Sequence, residues 1–230
     1  MQCSLYGKVP AKRDFIAIGA PREFLNAWEP WLQGAISASR TELGDKWQSA
    51  FLTAPIWRFW LGADICGRCV IGAFMSSLDG VGRYFPLTLF ACADDDAAIP
   101  PPEFGSQDDW FDTAEAFLMS TLDHDAKFET MTAELGALPS PFQEFPKAPA
   151  QGEGCNSNTN TRAIPAHGRS FSELFSSIRR CDHVKIYAGS TFWWTIGGEG
   201  IEPVALFGKG MPDPFLFSAM LTGVFAEAPT

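Results

Sequence analysis

Residues 55–92 read PIWRFWLGADICGRCVIGAFMSSLDGVGRYFPLTLFAC. Three runs within them, Ile56–Leu61, Cys69–Met75 and Phe85–Cys92, are dense in aromatic and branched side chains and predict β-strands. Gly62–Arg68, with a glycine near each end, suits a hairpin loop between the first two. Upstream, Phe24, Leu25, Trp28, Trp31, Leu32, Ala35 and Ile36 recur at helical spacing behind Pro21, a favoured first-turn residue. Pro30 falls inside that pattern and predicts a kink or a restart. A second short helix is expected over Asp45–Leu52.

Downstream, Asp108 or Asp109 can cap a helix carrying Trp110, Ala114, Phe117, Leu118, Thr121 and Leu122. Phe128–Leu138 continues as helix up to Pro139, and Ser170 or Ser172 can cap another through Ile178. Val184–Ala188 and Thr191–Ile196 read as a second strand pair, Val204–Phe207 as a third strand, and Phe215–Phe225 as a closing helix. Residues 148–169 (APAQGEGCNSNTNTRAIPAHGR) offer almost nothing to bury and predict a long mobile surface loop. Strands alternating with amphipathic helices imply an α/β protein. The expectation is one three-layer α/β domain over residues 1–230, a mixed sheet with helices on both faces.

Composition narrows the class further. In 230 residues, 46% are hydrophobic, and eight Trp and twenty Phe exclude global disorder. A chain this long buries about 70% of its unfolded surface and needs no staples. No run reaches the roughly 18 apolar residues of a membrane span, and MQCSLYGKVPAKRDF has no apolar segment of a signal peptide. A cytoplasmic protein without membrane insertion is therefore expected. Its six cysteines, Cys3, Cys66, Cys69, Cys92, Cys155 and Cys181, are irregularly spaced and read as free thiols. The net charge of −10 argues against nucleic acid as a partner.

That charge is unevenly placed. Residues 1–91 carry +2, residues 92–147 carry −11 and residues 148–230 carry −1. The acidic quarter is either a solvated outer face of surface helices or a steering surface for a basic partner.

Catalytic and metal motifs are missing. His124, His167 and His183 have no acid or cysteine at ligand spacing. Cys66-Gly-Arg-Cys69 is a lone pair where a zinc ribbon needs two, and strand-like Val70-Ile71 follow where a redox motif needs a helix start. Gly197–Gly200 lacks the Lys-Ser/Thr of a phosphate loop, and Asp94-Asp95-Asp96 cannot all converge on one ion. No cofactor, no metal and no enzyme activity are expected.

What remains is a set of charges embedded in aromatic runs: Lys8 and Asp14 in GKVPAKRDF, Arg58 in PIWRFWLG, Asp79 and Arg83 in SSLDGVGRYFPL. Ser190 in GSTFWWT adds a hydroxyl beside Trp193 and Trp194. Burying such charges is costly unless they pair. They either lock turns onto the sheet or line a groove in which Arg58 or Arg83 meets a carboxylate or phosphate.

The order of these stretches, Gly7–Phe15, Trp28–Leu32, Pro55–Phe59, Ser77–Leu87 and Ser190–Trp194, resembles the TagF (also ImpM or SciT) family of bacterial type VI secretion accessory proteins. The match is dense over residues 5–92 and resumes near 184–225. One departure stands out: the family's usual Pro-Ser-Val-Asp-Arg is Ser76-Ser77-Leu78-Asp79-Gly80 here. The resemblance implies a cytoplasmic α/β protein that restrains secretion after translation by binding the forkhead-associated scaffold protein of the apparatus. Some relatives carry a fused PP2C-type phosphatase domain, and no cluster of metal-binding aspartates is seen here to supply that chemistry. The expected partner or pocket residues are Lys8, Asp14, Arg58, Ser77, Asp79, Arg83, Ser190, Trp193 and Trp194. The alternatives are a small-molecule sensor or enzyme built on the Lys/Asp/Arg set, and a structural subunit of the secretion baseplate.

Overall fold

A computed structural model describes residues 2–123, 125–144 and 168–225. Seven strands form one sheet: β1 (Ser4–Gly7), β2 (Ile16–Ile18), β3 (Trp57–Leu61), β4 (Val70–Met75), β5 (Leu87–Cys92), β6 (Ser190–Thr195) and β7 (Val204–Lys209). Their spatial order is β2-β1-β5-β4-β3-β6-β7. The α/β domain is as expected, but the sheet is antiparallel at every pairing, where a mixed one was expected. For four of the six pairings the reason lies in the connections. β1–β2, β3–β4, β4–β5 and β6–β7 are joined by only eight to eleven residues, and a parallel crossover needs about a dozen or more.

Helices cover both faces, so the central strands are buried on both sides and read as continuous apolar runs. On one face lie α1 (Arg22–Leu43), α2 (Trp47–Leu52), the single turn α3 (Ala63–Cys66) inside the β3–β4 connection, and later α8 (Phe217–Thr222). On the other lie α4 (Asp108–Ser120) and α5 (Phe128–Ala137). Between them and β6 come α6 (Phe171–Cys181) and α7 (His183–Ile186). Alternation along each strand sorts the large side chains. Phe59, Phe74, Phe90 and Trp193 join Trp28 and Trp31 of α1, while Trp60, Ile71 and Leu89 join Phe111 and Leu118 of α4. Six of the eight indole N–H groups find acceptors across elements, among them Trp28 to Thr88 Oγ1 at 3.1 Å and Trp60 to the Ile99 carbonyl at 2.9 Å.

Three local expectations are corrected. Of the kink or restart expected at Pro30, the restart does not occur: helix α1 runs through Pro30 without a break, with Pro30 on the exposed side while Trp28, Trp31 and Leu32 hold the helix to the sheet. Val184–Ala188 is not a strand. His183 and Tyr187 are buried four apart with exposed residues between them, the period of a helix and not of a strand. Gln107, not an aspartate, precedes α4, and Asp108 and Asp109 occupy its first turn, where their charge suits the helix dipole. β1 and β2 had no sequence signal strong enough to predict them. By contrast Ser170 caps α6 in a full capping box with Glu173, and the expected third strand extends to Lys209. The predicted mobile loop lies almost wholly outside the described residues, as do His124, His167 and Cys155. Among the described residues no helix is long and apolar enough to cross a membrane.

Candidate functional site

The loop after β1 and the loop before β5 meet at the end of the sheet, and there five of the nine singled-out residues come together. Asp79 is fully buried. Its carboxylate accepts from the backbone N–H of Val81 at 3.1 Å and of Arg83 at 2.9 Å, which closes the Leu78–Tyr84 turn from within. The Arg83 Nε donates to it at 2.7 Å, and the Lys8 Nζ lies 3.0 Å away. Lys8, itself buried, also stands 4.9 Å over the Phe15 ring. Ser77 Oγ donates to the Lys8 carbonyl at 2.8 Å, and the Gly80 N–H donates to the Lys12 carbonyl at 2.7 Å. Arg83 reaches on to the Arg13 carbonyl and, at 3.8 Å, to Asp14, whose side chain is almost fully exposed. These residues are a mutually paired lock between two loops.

Gly80, which stands where the resembling family carries arginine, fits the same picture. A Cβ there would come 2.8 Å from the Pro10 carbonyl oxygen, so the two loops close tightly because the side chain is missing.

Burial alone would raise the Asp79 pKa. The Arg83 and Val81 amides, Lys8 and the Arg83 guanidinium outweigh it and hold the carboxyl well below its ordinary range. A carboxyl with a lowered folded pKa stabilises the fold at any pH above its unfolded value, and that contribution drains away as pH falls towards the folded one. The unfolding midpoint should therefore drop below about pH 4, and drop less steeply in Asp79→Asn. Parallel acid limbs in urea titrations of the two proteins would contradict this.

Arg58 belongs elsewhere. It leaves β3 on the α4 face and is buried. Three carboxylates of α4 receive it: Glu115 at 2.5 Å from Nε, Asp112 at 3.1 Å from Nη2 and Asp108 at 3.5 Å from Nη1. Their spacing, i, i+4 and i+7, places all three on one side of the helix. The guanidinium also lies 5.0 Å over the Phe111 ring, and Phe111 meets Trp194 edge-on at 5.0 Å. Trp194 is the register partner of Arg58 on β6, so the clamp joins β3, β6 and α4. Part of the acidic quarter thus neutralises one buried arginine, a role that sequence reasoning missed. The signal was there in D-x-x-x-D-x-x-E at Asp108–Glu115, beside an arginine inside an apolar strand.

Trp193 points to the opposite face and is buried among aromatic rings. Ser190 fastens the start of β6: its N–H donates to the Tyr187 carbonyl at 3.0 Å and its carbonyl accepts from Gly62 at 2.9 Å. Among the described residues, no ion pair or hydrogen bond links the Lys8–Asp79 lock, the Arg58 clamp and Trp193 into one cleft. The five described cysteines are free. Cys66 closes the α3 turn instead of opening a helix, and burial pushes its thiol up to about 12. No group of three potential metal ligands occurs among the described residues.

Compared with known proteins, the family model described as the TagF N-terminal domain, type VI secretion system-associated, matches residues 4–138. The crystal structure of PA0076 from Pseudomonas aeruginosa PAO1 superposes with a TM-score of 0.80 at 30% identity, over 100% of this chain and 98% of that one. No curated protein matches the chain.

Proposed function

The chain belongs to the TagF family of type VI secretion system-associated proteins, and from that premise we propose that it is a non-enzymatic, cytoplasmic, negative regulator of secretion that acts by binding the forkhead-associated scaffold protein. One observation carries the reading: Lys8, Arg58, Asp79 and Arg83 of the family-like stretches are each held in ion pairs that fasten the fold. Lys8, Asp79 and Arg83 hold two loops together, and Arg58 holds a helix. A sensor or enzyme built on Lys8, Asp14, Arg58, Asp79 and Arg83 would need all five to face one open cleft. What is left to act is surface, and the exposed acids on and after α4 are part of it.

The acids must be chosen with the clamp in mind, because reversing Asp108, Asp112 or Glu115 would release Arg58. Asp109, Asp123 and Asp125 are exposed and lie outside the clamp. Reversal of these three to lysine should slow association with the purified scaffold by about tenfold at low salt and flatten its salt dependence. Stopped-flow or surface-plasmon measurements would read this directly. Unchanged association rates would remove the steering role, and absence of wild-type binding at low salt would overturn the scaffold assignment itself.

A further inference from the structure

β2 is an outer strand of the sheet, and its far side pairs with nothing among the described residues. It is only three residues long, with Ala17 exposed and Ile18 half-buried. Along it runs a cleft of about 360 Å³ lined by Lys12, Arg13, Asp14, Phe15, Ile16, Ala17, Ile18 and Phe128. Phe15 is half-exposed, and Lys12 Nζ sits 4.1 Å above the Phe128 ring. Neither Lys12 nor Arg13 has a carboxylate partner among the described residues. The one acid in the lining, Asp14, leans towards Arg83 at 3.8 Å. On a chain of net charge −10, two unpaired cations beside a free strand edge are a departure from the average surface.

We propose that this edge binds an acidic peptide in extended form, which adds to β2 as an eighth strand. The main chain of an outer strand presents N–H and C=O groups that only another extended chain satisfies in series. Lys12 and Arg13 supply the selection, drawing carboxylate-bearing segments and repelling basic ones. The apolar floor of Phe15, Ile16 and Phe128 takes the alternate side chains, since successive residues of a strand point to opposite sides. With three residues on offer, affinity is expected in the micromolar range, as suits reversible regulation. The inference does not depend on which protein carries the segment, so failure of scaffold binding leaves it untouched.

The test uses the full chain and a fluorescein-labelled synthetic decapeptide that alternates glutamate with valine, against the same peptide with lysine for glutamate. Anisotropy at low salt should show binding of the acidic peptide only. Lys12→Glu with Arg13→Glu should weaken it by about tenfold or more, and the charge-neutral Lys12→Gln with Arg13→Gln by an intermediate factor. Arg13 is exposed and Lys12 half-buried, and a thermal melt confirms that each variant is folded. In the ¹⁵N-labelled protein, amides within Ile16–Ile18 should gain protection from hydrogen exchange when the acidic peptide is bound. Equal binding of both peptides, undiminished binding by the reversed variant, or unaltered exchange at Ile16–Ile18 would each overturn strand addition. Preferential binding of phosphatidylserine vesicles over the acidic peptide would overturn it in favour of a membrane surface.

Discussion

Asp79→Ala should cost about 3 kcal/mol of stability, the lower end of what removing one partner of a buried ion pair takes away. The lower end applies because the carboxylate, though shut off from solvent, is roofed by an Arg83 side chain that is itself 58% exposed. Alanine strands the Lys8 ammonium under the loops and deprives the Val81 and Arg83 amides of their acceptor. The double variant Lys8→Met/Asp79→Leu should recover only part of the loss, since an apolar pair removes the stranded ammonium but leaves the Val81 and Arg83 amides without an acceptor. Urea midpoints at constant slope would measure both. A cost below about 1 kcal/mol for Asp79→Ala would mean that backbone closure alone holds the two loops.

Trp193→Ala should be at least as damaging, at about 3–5 kcal/mol. Its ring stacks on Trp28 at 5.7 Å with an interplanar angle of 12°, and meets Trp31 at 4.9 Å, Phe59 at 5.4 Å and Phe74 at 6.2 Å. Relaxation cannot fill the void readily, because those neighbours are anchored by hydrogen bonds of their own, Trp28 to Thr88 and Trp31 to the Pro212 carbonyl. The Trp193 indole N–H is buried and has no acceptor among the described residues. Trp193→Phe therefore sheds an unsatisfied donor while it loses ring volume, and should cost no more than about 1 kcal/mol. A larger loss with Phe than with Ala, read from thermal melts, would contradict the packing account. Loss of partner binding in Trp193→Ala would report disturbed folding, whereas Arg83→Ala tests a residue that is partly at the surface.

Legibility in the sequence followed burial. β3, β4 and β5 were readable because two-sided burial leaves long apolar runs, and α1 because Trp28, Trp31 and Leu32 repeat at the helical period. β1 and β2 were not, since four and three residues carry too short a pattern, and β1 is placed by its pairing with residues 87–90. The sense of the sheet was misjudged because alternating strands and helices suggest crossovers, whereas connection length decides. Of the candidate site, the residues were legible and their grouping was not. Arg58 and Asp79 look alike in sequence, both being charges inside aromatic runs. One is met by a helix 50 residues downstream and the other by a loop about 70 residues upstream. Only the fold reveals which carboxylate goes with which cation.

The order of strands in space also sets a timetable for synthesis. β3 lies between β4 and β6, and Arg58 waits for Trp194, which follows 136 residues later. At about 5–20 residues per second, a ribosome takes roughly 7–27 s to deliver that neighbour. Throughout that interval the outer side of Trp57–Leu61, three of whose five side chains are aromatic, is an open template in a nascent chain. Only the emergence of residues 190–195 closes that edge.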